Sequence, residues 1–134
     1  MPRDTQTPAT PGFSGWVGTV LGARDPQALA HFYSHLLGWP LAEDSPQWCT
    51  IPIPGARANL AFQREATHEP PTWPQEPGKQ QMMMHLDLGT TDLAGAVCHA
   101  RSLGAVEADF QPQADVRVMI DPAGHPFCLY ADEE

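Results

Sequence analysis

An internal repeat constrains the fold of this chain more than any other feature. Residues 21–25 read LGARD and residues 88–92 read LGTTD, an offset of 67 positions (88 minus 21). At the same offset Leu36 falls on Leu103, and Gly38 misses Gly104 by one position. A repeat of this length predicts two copies of one structural unit.

Each copy contains a helix with clear start and stop signals. Asp25 is a good N-cap, and Pro26 falls at the first helical position, where a missing N–H is tolerated. Apolar residues then recur at helical spacing, and Gly38 suits the left-handed position after the last turn. In the second copy, Asp92 is the expected N-cap and Gly104 the expected stop.

Each predicted helix follows one strand and precedes three further segments of strand character. These segments are residues 39–43, 48–53 and 59–63 in the first copy and residues 106–110, 116–120 and 126–130 in the second. The sequence DPAG at residues 121–124 is an evident hairpin turn. Each half therefore reads β-α-β-β-β, and the predicted fold class is α+β.

The repeat also predicts how the chain is organised. We expect a flexible N-terminal tail over residues 1–13 and a single domain over residues 14–134. Within that domain, module one covers 16–63, a linker covers 64–81 and module two covers 82–131. The linker carries four prolines and has no periodicity, and it is long for a loop, which suggests either a lid or a plain tether.

Composition and charge exclude several classes of function. The chain has 134 residues, and 42% of them are hydrophobic, which is enough to build the core of one domain. Seven Lys and Arg against sixteen Asp and Glu give a net charge of −9, so the surface repels phosphate backbones and anionic lipids. We therefore expect neither a nucleic acid nor a membrane as a partner.

The cysteines and the hydropathy pattern predict a cytoplasmic location. Cys49, Cys98 and Cys128 form no CxxC pair, and an odd number cannot all be paired, which is typical of a reducing compartment. No apolar run is long enough to cross a bilayer, and residues 1–12 are polar, unlike a secretory signal.

Three stretches carry a resemblance to a known family. They are residues 25–39 with the helix and its LGW ending, HLDL at residues 85–88, and DPAGHPFCL at residues 121–129, with PTWP at 71–74 in support. Together they resemble the vicinal oxygen chelate superfamily of glyoxalase I, bleomycin- and fosfomycin-resistance proteins and extradiol dioxygenases, and within it a glyoxalase-like subgroup. The resemblance implies two modules whose mixed sheets curl into a half-barrel around a shared cavity.

The resemblance also implies where a metal would be held. Its ligands come from the first and last strand of each module, at positions that here carry Gly18 and His85 on the first strands. Cys128 occupies the last strand of module two, and either Ala61 or Gln63 occupies that of module one. We therefore expect no metal, and at most a divalent ion such as zinc held by His85, Gln63 and Cys128, a weak set for that ion.

Six residues are candidates to line a small-molecule pocket: Trp48, Gln63, Trp73, Met83, His85 and Cys128. His85 is either a catalytic base or ligand, or a hydrogen-bonded residue of the cavity wall. Cys128 reads better as a small core residue than as a nucleophile. His125, in the hairpin, is expected to face solvent.

The function predicted on this basis is that of a glyoxalase-like small-molecule protein with a degenerate metal site. If the protein is an enzyme, which the sequence leaves undecided, it is a lyase, isomerase or dioxygenase acting on a substrate with adjacent oxygens. The alternative is a binding protein that sequesters a cationic drug without catalysis. A third reading is a scaffold whose cavity is filled by its own side chains. The resemblance further implies a homodimer.

Overall fold

The computed structural model describes residues 10–132 and contains two four-stranded sheets, each with one helix. The first module comprises β1 (Val17–Ala23), α1 (Pro26–Leu37), β2 (Glu43–Asp44), β3 (Trp48–Pro52) and β4 (Ala58–Arg64). The second comprises β5 (Asp87–Thr90), α2 (Leu93–Ser102), β6 (Val106–Glu107), β7 (Val116–Ile120) and β8 (Pro126–Ala131). The predicted α+β fold of tandem βαβββ modules is confirmed. Residues 1–9 of the predicted tail lie outside the described residues.

The strand registers repeat at the offset found in the sequence. The first sheet has the order β1-β4-β3-β2 and the second the order β5-β8-β7-β6. In the parallel pair β1–β4, Leu21 lies opposite Phe62, and in the pair β5–β8, Leu88 lies opposite Leu129. Both positions of the second pair follow those of the first by 67 residues, so residues that occupy equivalent places in the two modules can be matched one by one.

Both helices begin where the sequence predicts. The Asp25 side chain accepts a hydrogen bond from the Ala28 amide at 3.1 Å, and the Asp92 side chain accepts one from the Gly95 amide at 3.0 Å. A glycine inside a helix lowers its intrinsic stability. At position 95, however, a Cβ would collide with the carboxylate of the N-cap residue Asp92, so glycine is needed for this capping interaction. Gly38 ends α1 with a φ of 75°, as expected.

Two predicted strands are shorter in the structure than the sequence suggests. The segment 39–43 contributes only the start of β2, and the segment 106–110 contributes only β6. After β6, the Gln111 side chain replaces a strand backbone, because its amide donates to the Val118 carbonyl at 2.9 Å and accepts from the Val118 amide at 2.8 Å. A side chain that pairs with β7 in this way ends the ladder without leaving Val118 unsatisfied.

The core crosses from one module into the other. Phe32 and Tyr33 of α1 both pack edge-on against Phe127 of β8, with ring centroids 5.9 and 5.8 Å apart, and Tyr33 also stacks on Phe62 of β4. The Tyr33 hydroxyl donates a hydrogen bond to the buried Asp121 carboxylate at 2.7 Å. One side chain of module one therefore completes the hydrophobic core and satisfies a buried acid of module two.

Within residues 10–132, neither helix has the length and apolar character needed to cross a membrane.

We expect the stability of the protein to depend on the ionisation of Asp121. Burial raises the pKa of this carboxyl group from 3.8, although Tyr33 and two backbone amides donate hydrogen bonds to it. Between 3.8 and the raised value, the folded state binds more protons than the unfolded state, so stability falls as the pH rises through this window. D121N should remove this part of the pH dependence of stability. The free energy of unfolding, measured by urea unfolding at a series of pH values, tests this.

The matched control for this experiment is D115N, which removes a carboxylate from an exposed position of the same module. It should retain the pH dependence of the unmodified protein. If D121N and D115N show the same slope of unfolding free energy against pH, the assignment to Asp121 is wrong.

Candidate functional site

The second sheet brings two of the predicted site residues together with a third that the sequence analysis missed. The imidazole Nε2 of His85 lies 3.1 Å from Oδ1 of Asp87, and Asp87 lies opposite Cys128 in the register of β5 and β8. The nitrogen, carboxylate oxygen and sulfur atoms of these residues all lie within 4.8 Å of one another. Alternation along HLDL, which places residues 85 and 87 on one face, is the signal that would have found Asp87.

This cluster borders a cavity of about 400 Å³ on the open face of the second sheet. Its lining comes from module two alone and is formed by His85, Asp87, Gln113, Asp115, Val116, Cys128 and Tyr130. The predicted partner Gln63 is not among these residues. It lies on the first sheet, where its amide donates to the Glu65 carboxylate at 2.6 Å.

The Cys128 thiol is poorly suited to act as a nucleophile by itself. Burial raises the pKa of this thiol above its ordinary value, and the neighbouring Asp87 carboxylate raises it further. Because the thiolate is the reactive species, the thiol in this environment stays protonated and unreactive near neutral pH. The sequence-based view that Cys128 is no nucleophile agrees with this pKa shift.

In module one, the equivalent positions carry side chains that cannot coordinate an ion. The register settles which residue corresponds to Cys128, because Ala61 lies opposite Val20 just as Cys128 lies opposite Asp87. Ala61 is fully buried, and a Cβ placed on Gly18, the counterpart of His85, would lie 2.9 Å from the Asn59 amide oxygen. These residues do not fit a metal centre shared between the two modules.

A second cavity, of about 350 Å³, lies between the modules, and we name it the intermodule cleft. Its walls include Val20 and Leu21 of β1 on one side and Met82–Met84 on the other, with His68, Glu69, Gln80, Gln81 and His125 among the polar lining. Met82–Met84 lie outside any strand, because β5 begins only at Asp87. Met83 and Met84 are instead 85% and 75% exposed.

Two histidines in the lining of the intermodule cleft contact each other and the backbone. The His125 Nε2 atom lies 2.7 Å from the Gly22 carbonyl, and the His68 Nε2 atom lies 2.9 Å from the Ala123 carbonyl, so each ring donates to a backbone oxygen. The ring centroids are 4.8 Å apart. The expectation that His125 faces solvent is wrong, because its ring is partly buried and joins the hairpin of module two to β1 of module one.

The two predicted tryptophans lie apart from both cavities. Trp48 of β3 lies opposite Gln63, and its indole Nε1 donates to the Glu43 carboxylate at 3.2 Å. Trp73 packs against Phe110, with ring centroids 6.0 Å apart, and donates to the Phe110 carbonyl at 3.1 Å. Of the six predicted pocket residues, His85 and Cys128 thus share one cavity, Met83 lines the intermodule cleft, and Trp48, Gln63 and Trp73 line neither.

The comparisons with known proteins agree with this architecture. The family model for the glyoxalase-like domain matches residues 18–130, so this chain belongs to the glyoxalase-like family of the vicinal oxygen chelate superfamily. No curated protein matches the chain.

Solved structures of the same fold share little sequence with this chain. A glyoxalase-related enzyme from Fulvimarina pelagi superposes with a TM-score of 0.64 at 18% identity, over 90% of this chain and 89% of that one. A glyoxalase/bleomycin resistance protein/dioxygenase family enzyme from Burkholderia phytofirmans gives 0.62 at 15% identity, over 85% and 95%. TnmS3, an antibiotic binding protein from Streptomyces, gives 0.57 at 18% identity, over 90% and 97%. At these identities the likeness establishes the fold alone.

The environments of the three cysteines predict a distinct order of alkylation by iodoacetamide. Cys98 is exposed and should react first, Cys128 is half-buried with a raised pKa, and Cys49 is fully buried. D87N should speed the reaction of Cys128 severalfold, because the carboxylate that raises the pKa of this thiol is removed. Peptide mapping by mass spectrometry measures each rate. D115N serves as the control, and an unchanged Cys128 rate in D87N would contradict the assigned cause.

Proposed function

We propose that this protein binds a small organic molecule in the intermodule cleft and that it does so without a metal centre shared between the modules. The observation that carries the proposal is the composition of the cleft, where apolar side chains from both modules meet a few polar groups. Ligand sites are typically of this kind, with volumes of about 300–1,000 Å³, and the cleft has about 350 Å³.

The lining of the cleft favours an apolar ligand that carries a positive charge. The thioethers of Met82–Met84 are flexible and polarisable, so they can adapt to an irregular apolar body. Glu69 is the one formally charged side chain among the described residues that line the cleft, and the chain as a whole carries a net charge of −9. Both favour a cation. The antibiotic-binding relative from Streptomyces supports a binding role on the same fold.

A catalytic role is the second candidate, and a specific contact favours it. The Asp87 carboxylate lies 3.1 Å from the His85 imidazole, at the edge of the cavity in module two. A carboxylate in this position holds the imidazole ring in one orientation, as a general base requires. The reaction supported by this pair is proton abstraction next to a carbonyl group, which is the chemistry of an isomerase or a lyase.

The catalytic candidate is tested by turnover of thiol adducts of α-ketoaldehydes. If His85 is the base, H85Q should lower kcat by at least 100-fold, in the range that general-base catalysis contributes. H99Q, which changes an exposed histidine of α2, should leave turnover unchanged. Turnover that survives H85Q would exclude His85 as the base, and no turnover by the unmodified protein leaves the binding proposal as the function.

We further propose that two copies associate and that the protein works in the reducing cytoplasm. β1 is an edge strand of its sheet, and its residues Val17 and Val20 are at least half exposed. Met83 and Met84, which line the intermodule cleft together with Val20, are also exposed. Uncovered strand edges with apolar side chains favour pairing. Cys49, Cys98 and Cys128 are all free thiols, which supports a reducing compartment. Sedimentation velocity should show a dimer that V17E dissociates into monomers.

The binding proposal predicts that one substitution in the cleft weakens ligand binding. Cationic organic antibiotics, bleomycin among them, are screened for a rise in melting temperature, which a bound ligand causes by mass action. For a compound that binds, M83Q should raise the Kd measured by calorimetry about tenfold, because it replaces part of the apolar wall with an amide. V106Q, at an exposed apolar position on β6, is the matched control. Equal loss of affinity in both variants would place the ligand elsewhere.

A further inference from the structure

We propose that His85, Asp87 and Cys128 form a Zn²⁺ site contained entirely within module two. The site is separate from the intermodule cleft, so its existence does not depend on the proposed ligand-binding function. It also differs from a centre shared between modules, because its third ligand, Asp87, comes from the same module as His85 rather than from the other half of the chain.

The backbone fixes the relative positions of the three side chains. Asp87 of β5 and Cys128 of β8 are directly opposite in a parallel ladder, and the Cys128 amide donates to the Leu86 carbonyl at 2.9 Å. His85 precedes Asp87 by two residues and approaches it on the same side, as the 3.1 Å contact between Nε2 and Oδ1 shows. Two of the three ligands, Asp87 and Cys128, therefore come from hydrogen-bonded strands whose spacing changes little when an ion binds, and His85 lies two residues before β5.

The distances are close to those of a zinc site before the ion is present. With bonds of about 2.0–2.3 Å in tetrahedral geometry, ligand atoms lie about 3.3–3.8 Å apart. The three candidate atoms lie within 4.8 Å of one another, so small rotations of the side chains would bring them into position. The His85 and Asp87 side chains are 36% and 60% exposed, which leaves room for water as a fourth ligand.

The donor set and its surroundings select zinc over harder ions. One imidazole nitrogen, one carboxylate oxygen and one sulfur are donors that zinc accepts, whereas Ca²⁺ and Mg²⁺ need oxygen ligands almost exclusively. Asp115 lines the same cavity, and neither Lys nor Arg is among the described residues of its lining. A second carboxylate in the lining thus adds to the negative potential around the site.

Module one provides an internal contrast. The residues that correspond there to His85, Asp87 and Cys128 are Gly18, Val20 and Ala61, and none of them has a metal-binding atom in its side chain. The pairing of the first and last strands therefore occurs in both modules, but only the positions in module two carry donors. A site assembled in one module is the only arrangement that these six positions allow.

The experiment is a titration of the reduced, chelator-treated full-length protein with Co²⁺ and with Zn²⁺. Co²⁺ should displace the Cys128 thiol proton to solvent and give one equivalent of binding, with visible bands of tetrahedral cobalt and a thiolate-to-cobalt charge-transfer band in the near ultraviolet. Zn²⁺ should displace the cobalt and protect Cys128 from iodoacetamide. C128S should abolish the charge-transfer band, and D87N and H85Q should each raise the Kd for Zn²⁺ at least tenfold.

Two matched variants control for binding at other groups. C98S removes the exposed cysteine of α2, and D115N removes the neighbouring carboxylate that is not a proposed ligand. C98S should retain the charge-transfer band, and D115N should retain zinc binding to within about threefold. Circular dichroism establishes whether each variant is folded. If C128S does not fold, D87N still tests the proposal, because Asp87 is largely exposed and its substitution should not disturb the fold. Absence of a cobalt–thiolate band, its loss in C98S, or unchanged zinc affinity in D87N and H85Q would each overturn the proposal.

Discussion

The hydrogen bond between Tyr33 and Asp121 is the contact on which the arrangement of the two modules depends. A carboxylate buried to this extent is tolerated only when hydrogen-bond donors surround it. Asp121 accepts hydrogen bonds from the Tyr33 hydroxyl and from the backbone amides of Ala123 and His125. Because those amides belong to the β7–β8 hairpin, the hairpin is held in one conformation. Its His125 ring donates a hydrogen bond to the Gly22 carbonyl of β1, and both of these residues line the intermodule cleft.

Local signals and the repeat predicted most of the fold. Asp25 and Asp92 cap helices as expected because capping depends on a few neighbouring residues, and the offset of 67 holds because both modules use the same register. The early end of β6 depends on hydrogen bonds between the Gln111 side chain and the backbone of Val118, seven residues later, which no local pattern reveals. The apolar run Met82–Met84 lies outside any strand, and Met83 and Met84 are exposed, because an apolar composition alone does not decide the conformation of a short segment.

The candidate site was predictable where it follows strand alternation and unpredictable where it depends on contacts between modules. His85 and Cys128 line the same cavity, and Asp87 was within reach of the argument from strand alternation, since a residue two positions after His85 falls on the same face. Trp48 and Trp73 both form hydrogen bonds away from either cavity, with contacts that depend on the tertiary structure. Asp87 takes the place of Gln63 as the third donor beside His85 and Cys128, because Gln63 lies on the other sheet.

The aromatic packing across the modules has a consequence for how such a chain arises by gene duplication. Phe32 and Tyr33 of the first half complete their burial on Phe127 of the second, so a polypeptide with only one half would leave these rings facing water. An ancestor of half this length would have been obliged to self-associate to cover them. Fusion of two such genes turns that association into an internal contact, after which each half is free to accumulate its own substitutions, as Gly18 and His85 illustrate.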